Sequence, residues 1–137
     1  MKITAKLDYT CRILCELARS FSGGDTLSIE QLSRTESVPA NFLAQILGDL
    51  RHGRLVVSRR GIQGGFRLAR APGEITLFDI INVIEGELLA PATEPGGRSG
   101  RALRQIWDEI GAAISEKARG YTLEAMASRI DAEMYYI

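Results

Sequence analysis

The sequence predicts a mainly α chain with a small β-hairpin, a winged helix-turn-helix plus a long dimerisation helix. Three observations carry this. Residues 39–68, PANFLAQILGDLRHGRLVVSRRGIQGGFRL, pass from helical apolar spacing to two short strand patterns around a glycine-rich turn. A second, shorter helical pattern with its own cap lies just before that stretch. Residues 101–119 then hold an unbroken helical pattern with more apolar surface than a small domain can cover.

Residues 7–21 predict the first helix, because Leu7, Cys11, Leu14, Ala18 and Phe21 recur every three or four positions, with Ile13 and Leu17 widening the stripe. Gly23 and Gly24 end it. Ser28 and Gln31 have capping-box spacing, so a second helix starts at Ile29 and runs to about Thr35. After a turn at residues 36–38, Pro39 suits the first position of a third helix, where a missing N–H costs nothing. That helix reaches about His52, with Phe42, Leu43, Ile46, Leu47 and Leu50 as its buried stripe. Asn41, Ala44, Gln45, Gly48 and Asp49 face outward, and Gly53 closes the helix as a C-terminal glycine.

Two helices joined by a short turn are a weak signal alone. Strand patterns at residues 55–59 and 65–69, with residues 60–64 as the turn, make the combination the more specific winged form. Pro72 and Gly73 mark a boundary, giving a DNA-binding unit over residues 1–73. Residues 74–137 then supply the dimerisation helices, an effector or partner loop and a C-terminal tail. Thr76 and Asp79 predict a fourth helix to Glu85. Residues 86–100, rich in glycine and proline, predict a loop. On the long helix Leu103, Ile106, Trp107, Ile110, Ala113, Ile114 and Lys117 share one face. Thr122 caps a last helix ending near Ile130.

The 137 residues suit one compact unit, or a small domain with an oligomerisation extension. No apolar run approaches the ~20 residues that span a bilayer, and the first ten residues lack a signal-peptide core, which predicts a cytoplasmic protein. A net charge of zero hides a split: residues 1–73 carry 11 basic and 6 acidic side chains, residues 74–137 carry 6 and 11. Such asymmetry points to a basic functional face on one half. Cys11 and Cys15, at i, i+4 on a helix, make neither a zinc framework nor a disulfide scaffold and read as core residues.

No catalytic constellation is visible. His52, the only histidine, has no nucleophile beside it, and GIQGG does not follow a strand and open a helix as a dinucleotide-binding loop would. Double-stranded DNA is the ligand with a direct physical case. Arg51, Arg54, Arg59, Arg60, Arg67 and Arg70 supply charge for phosphates. Asn41 and Gln45 suit bidentate contact to adenine in a major groove, and Arg60 at the wing tip suits a narrow minor groove. Gly64 and Gly65 would let the backbone approach the sugar-phosphate chain.

The opening MKITAKLDYT, the NFLAQILGDLRHGRLVVSRRGIQGGFRLAR stretch and ITLFDIINVIEG together resemble the Rrf2 family of bacterial regulators, which are winged helix-turn-helix dimers. The resemblance covers nearly the full length. It implies that Asn41, Phe42 and Gln45 lie at or near bases, that Arg60 belongs to the wing, and that the helix over residues 101–119 forms a homodimer, placing Leu103, Ile106, Trp107, Ile110 and Ile114 at its interface. Many members hold an iron–sulfur cluster on three loop cysteines. Here the loop GELLAPATEPGGRSG has none, and Asp8, where some members add a ligand, cannot hold a cluster alone. No cofactor and no metal are therefore expected.

The cysteine-free loop and the terminal Met134, Tyr135, Tyr136 and Ile137 look like the cluster-free branch that controls cysteine metabolism. That resemblance implies cysteine synthase as a partner; the tail with Tyr135, Tyr136 and Ile137 reads as the handle for it, as an aromatic tail packed on its own dimer, or as a disordered end. Two alternatives stand beside a repressor of this kind: direct thiol-redox sensing through Cys11 and Cys15, and a protein-interaction adaptor that does not bind DNA.

Overall fold

In the computed structural model, which describes residues 1–135, helix α1 (Ala5–Ser20) opens where the Thr4 hydroxyl accepts from the Leu7 N–H at 3.1 Å. Its start lies two residues earlier than the apolar stripe alone indicates, because a cap rather than the first leucine begins it. A 3₁₀ turn at Phe21–Gly23 follows. Helix α2 (Ile29–Glu36) carries the full capping box: the Ser28 hydroxyl accepts from the Gln31 N–H, and the Ser28 N–H donates to the Gln31 side chain at 2.8 Å. Ser37, at φ 54°, turns the chain into helix α3 (Ala40–His52). Pro39 is the residue flanking α3 rather than its first helical position.

Helix α3 buries Leu43, Ile46, Leu47 and Leu50. Phe42 departs from the sequence expectation: it is 39% exposed and lies outside the buried stripe. Its ring meets Tyr9 of α1 edge-on, with centroids 5.7 Å apart. Gly53 also plays another part. Its φ is −77°, and the left-handed residue after α3 is Arg54, at φ 63°. The Leu55 N–H donates to the Leu50 carbonyl at 2.9 Å, closing the helix around Arg54. Glycine is needed at position 53 because a Cβ there would lie 2.7 Å from a Val83 methyl.

Strands β1 (Val56–Arg59) and β2 (Gly65–Leu68) pair antiparallel, Val56 opposite Leu68 and Arg59 opposite Gly65. Leu27 adds a bridge that the sequence does not announce, exchanging two backbone hydrogen bonds with Phe66 at 2.8 and 2.9 Å. Helix α4 (Leu77–Ile84) has the Thr76–Asp79 capping box. Helix α5 (Gly100–Arg119) is the long helix, and α6 (Leu123–Tyr135) follows the Thr122 cap. Helix α6 runs well past Ile130. Arg19 of α1 holds its last turns, with Nε 2.9 Å from Asp131 and an N–H directed at the Met134 sulfur at 3.7 Å. The core gathers Leu14, Leu17, Leu32, Leu43, Leu50 and Leu68 together with Ile75, Ile80 and Leu123.

The α1–α2 contact contains a carboxyl pair. Glu36 is pushed up to about 7, first by burial and then by its hydrogen bond to, and repulsion from, Glu16, with Arg19 and Arg12 opposing. Folded chains therefore keep this proton to higher pH than unfolded ones, for which the ordinary value is 4.5. The group's contribution to stability is full below pH 4.5 and lost as pH rises through about 7. Because Glu36 is partly solvated, the contribution is about 1 kcal/mol or less. Thermal unfolding across that window should show Glu36→Gln gaining on the wild-type chain as pH rises; parallel curves would remove this role.

Candidate nucleic-acid interface

The four buried side chains of α3 fix its roll, and the roll leaves Asn41, Ala44, Gln45 and Gly48 exposed. Asn41 and Gln45 lie one turn apart on that face, about 6 Å along the axis. No side-chain cap occupies the α3 N-terminus, an end whose dipole favours an anion such as phosphate. Arg51 and His52 are exposed in the last turn, and the Arg51 guanidinium donates to the Ser58 hydroxyl of β1 at 3.4 Å. Asp49, the one acidic residue between positions 39 and 68, is neutralised by Lys6 of α1 at 2.7 Å.

The hairpin carries its charge on one side. Val56 and Leu68 point into the core, while Val57, Arg59, Arg60 and Arg67 are exposed. The tip is tied down. The Thr26 hydroxyl donates to the Gln63 carbonyl at 2.8 Å, and the Gly64 N–H donates to the Gly61 carbonyl at 2.9 Å. A Cβ on Gly64 would lie 2.7 Å from the Gly61 oxygen, and one on Gly65 (φ 153°) 2.6 Å from the Leu27 oxygen. Both glycines are thus required by the wing's own packing, whereas Gly61, at φ 109°, has open space beside it. Arg70 is turned toward the Glu74 carbonyl at 3.5 Å.

Structure adds residues that sequence reasoning missed. Tyr9 backs Phe42, and the Arg12 guanidinium lies 5.3 Å over the Tyr9 ring while pairing with Asp8 at 2.7 Å. Thr26 and Leu27 brace the wing. Lys6 and Arg12 belong to the basic excess of the first half, a signal the sequence did contain; the brace at Thr26 and Leu27 leaves no pattern to read.

On α5, Leu103, Ile106, Trp107 and Ile110 follow i, i+3, i+4, i+7 spacing and are 43, 45, 42 and 41% exposed. Ile114 continues the stripe but is half-buried, lining an apolar cleft of about 620 Å³ with Met1, Ile3, Leu88 and Leu89. Tyr135 is the last described residue of the tail, so the expectation for Tyr136 and Ile137 lies outside the described residues.

The two thiols sit on α1, Cys15 buried and Cys11 half-buried. Burial, and then Cys15 and Asp8, push Cys11 up to about 12; burial, and then Glu36, push Cys15 up to about 11. Burial thus disfavours the thiolate, the reactive form, at both positions.

The match to known proteins spans the chain. The family description Rrf2, "Iron-dependent Transcriptional regulator", matches residues 3–129. The HTH-type transcriptional regulator CymR of Bacillus subtilis is 36% identical, with both chains covered completely. The solved structure of CymR, the global cysteine regulator of B. subtilis, superposes with a TM-score of 0.80 at 33% identity, covering 94% of this chain and 98% of that one. IscR of T. potens gives 0.78 at 30% identity, covering 100% and 92%. The iron in the family description does not fit this donor set. Among the described residues no group of three or more His, Cys, Asp or Glu side chains is placed to hold a metal, and residues 86–100 contain no cysteine. Asp8 is engaged with Arg12, and Cys11 and Cys15 on α1 are the chain's two cysteines. With a winged helix-turn-helix fold and full-length matches of this kind, the chain belongs to the Rrf2 family of transcriptional regulators.

Proposed function

We propose that this regulator acts as a homodimeric repressor without an iron–sulfur cluster, binding a two-fold DNA site that controls genes of cysteine or sulfur metabolism. The observation that carries the DNA reading is the exposed Asn41–Gln45 face of α3 beside a braced, arginine-bearing wing. Asn41, Phe42 and Gln45 approach bases. Arg51, Arg54 and Arg59 hold phosphates, and Arg60 enters a minor groove. Gly64 and Gly65 serve the interface by shaping the turn. Residues 1–73 bind DNA, and residues 74–137 dimerise and receive the signal.

The α5 stripe Leu103, Ile106, Trp107, Ile110, continued by Ile114, meets its copy in a second protomer. Its four exposed apolar side chains at helical spacing support that reading. The cysteine role rests on likeness to CymR, described as a global cysteine regulator, and on the cysteine-free loop. Cysteine synthase is the proposed protein partner, taken through Tyr135, Tyr136 and Ile137. Deleting Ile137 should abolish synthase binding in a calorimetric titration; unchanged affinity removes the partner. For DNA, the test is selection from random duplexes by the full-length protein. Enrichment of a dyad supports the reading, and no enrichment refutes it.

A further inference from the structure

Ile62 is 106% exposed, more than any other large hydrophobic described. A lone exposed aliphatic side chain needs no explanation on an arbitrary surface. Here its position does. It stands at the tip of the hairpin, two residues beyond Arg60, on a turn tied by two hydrogen bonds, Thr26 to Gln63 and Gly64 to Gly61, while two Leu27–Phe66 backbone bonds brace the strand that follows. The open cleft beside the tip, about 540 Å³, counts Ile62 itself among its walls; the rest is mainly polar, including Asp25, Thr26, Ser28, Gln31 and Arg59, with Leu27 the other apolar side chain, and Ile62 stays fully exposed there. The side chain is thus presented outward by a hydrogen-bonded, basic support.

We propose that Ile62 is a specificity-determining residue: an apolar wedge that seats on the floor of the minor groove that Arg60 enters, while Arg59 engages the sugar-phosphate wall. The inference rests on the DNA-binding reading above. Apolar side chains delivered to a minor groove press between base steps, and pyrimidine–purine steps yield most easily. The wing therefore reads deformability at the step it contacts, favouring TA over AA. This readout is separate from the charge on Arg60: an apolar contact releases no counterions, whereas each neutralised phosphate contributes about 0.9 to the salt slope.

The experiment uses the full-length protein and a duplex recovered from random-sequence selection, made with TA or AA at the wing-contacted step. Ile62→Ala should bind the TA duplex roughly five- to twentyfold more weakly, from lost apolar burial. Its salt slope should be unchanged, and its preference for TA over AA should disappear. Ile62→Leu should keep both affinity and preference. Arg60→Ala should flatten the slope instead. Since Ile62 is fully exposed, the thermal midpoint of each variant should match the wild type. The wedge is overturned if Ile62→Ala retains both affinity and TA preference while Arg60→Ala weakens binding. It is equally overturned if Ile62→Ala flattens the slope, which would make Ile62 a support for the arginines. A wild-type protein that shows no salt-dependent duplex binding refutes the DNA reading itself.

Discussion

Ile106→Asp combined with Ile110→Asp should give a folded monomer that binds its DNA site roughly 10²–10⁴-fold more weakly than the wild type. Both side chains are more than two-fifths exposed in the single chain and neither belongs to the buried core. In the proposed dimer, what they lose is a partner. Two carboxylates on each facing helix would be desolvated and brought against their copies, a costly like-charge arrangement. Each half of a two-fold site is a weak ligand alone, and the second half binds at high effective concentration only when a dimer presents both wings. Sedimentation should show the monomer, and circular dichroism should show unchanged helix content. A double variant that stays dimeric would move the interface off α5.

The second large effect concerns base choice. Asn41→Ala and Gln45→Ala should each relax discrimination at one position of each half-site. A bidentate contact to a base is worth about 1–3 kcal/mol, and a dimer loses two at once. Binding to mismatched duplexes should fall much less. Arg51→Ala and Arg54→Ala should instead weaken all duplexes alike, the mark of phosphate contact. Competition between the selected site and single-base variants separates the patterns. If Asn41→Ala lowers affinity for every sequence equally, Asn41 holds backbone and the base-reading face lies elsewhere on α3.

Much of the fold was legible because its punctuation is local. The Ser28–Gln31 and Thr76–Asp79 boxes form within four residues, and both helices start where those pairs place them. The hairpin follows from alternation and glycine in the same way. What was not legible depends on distant partners. Phe42 fits the apolar spacing of α3, and only its Tyr9 contact shows that it packs at the edge rather than inside. Gly53 resembles a left-handed stop, yet the crowding of Val83 from α4 demands it and Arg54 takes the turn. Helix α6 has no glycine or proline to end it, and its final turns lie within reach of Arg19 on α1. In the site, residue types and order were visible, and the brace of the wing at Thr26 and Leu27 was not.

The central claim, a dimer that grips duplex DNA through two basic wings and two α3 helices, meets its most direct test in a salt titration. Affinity of the full-length protein for its selected duplex is measured against the logarithm of salt concentration. Three to four phosphates per protomer give a slope of roughly −5 to −7. Twofold symmetry further requires half-sites about one helical turn, or a multiple of it, apart. A slope in that range on a dyad site is the expected result. A slope near zero, or half that value on a single half-site, would contradict the dimeric DNA-binding account.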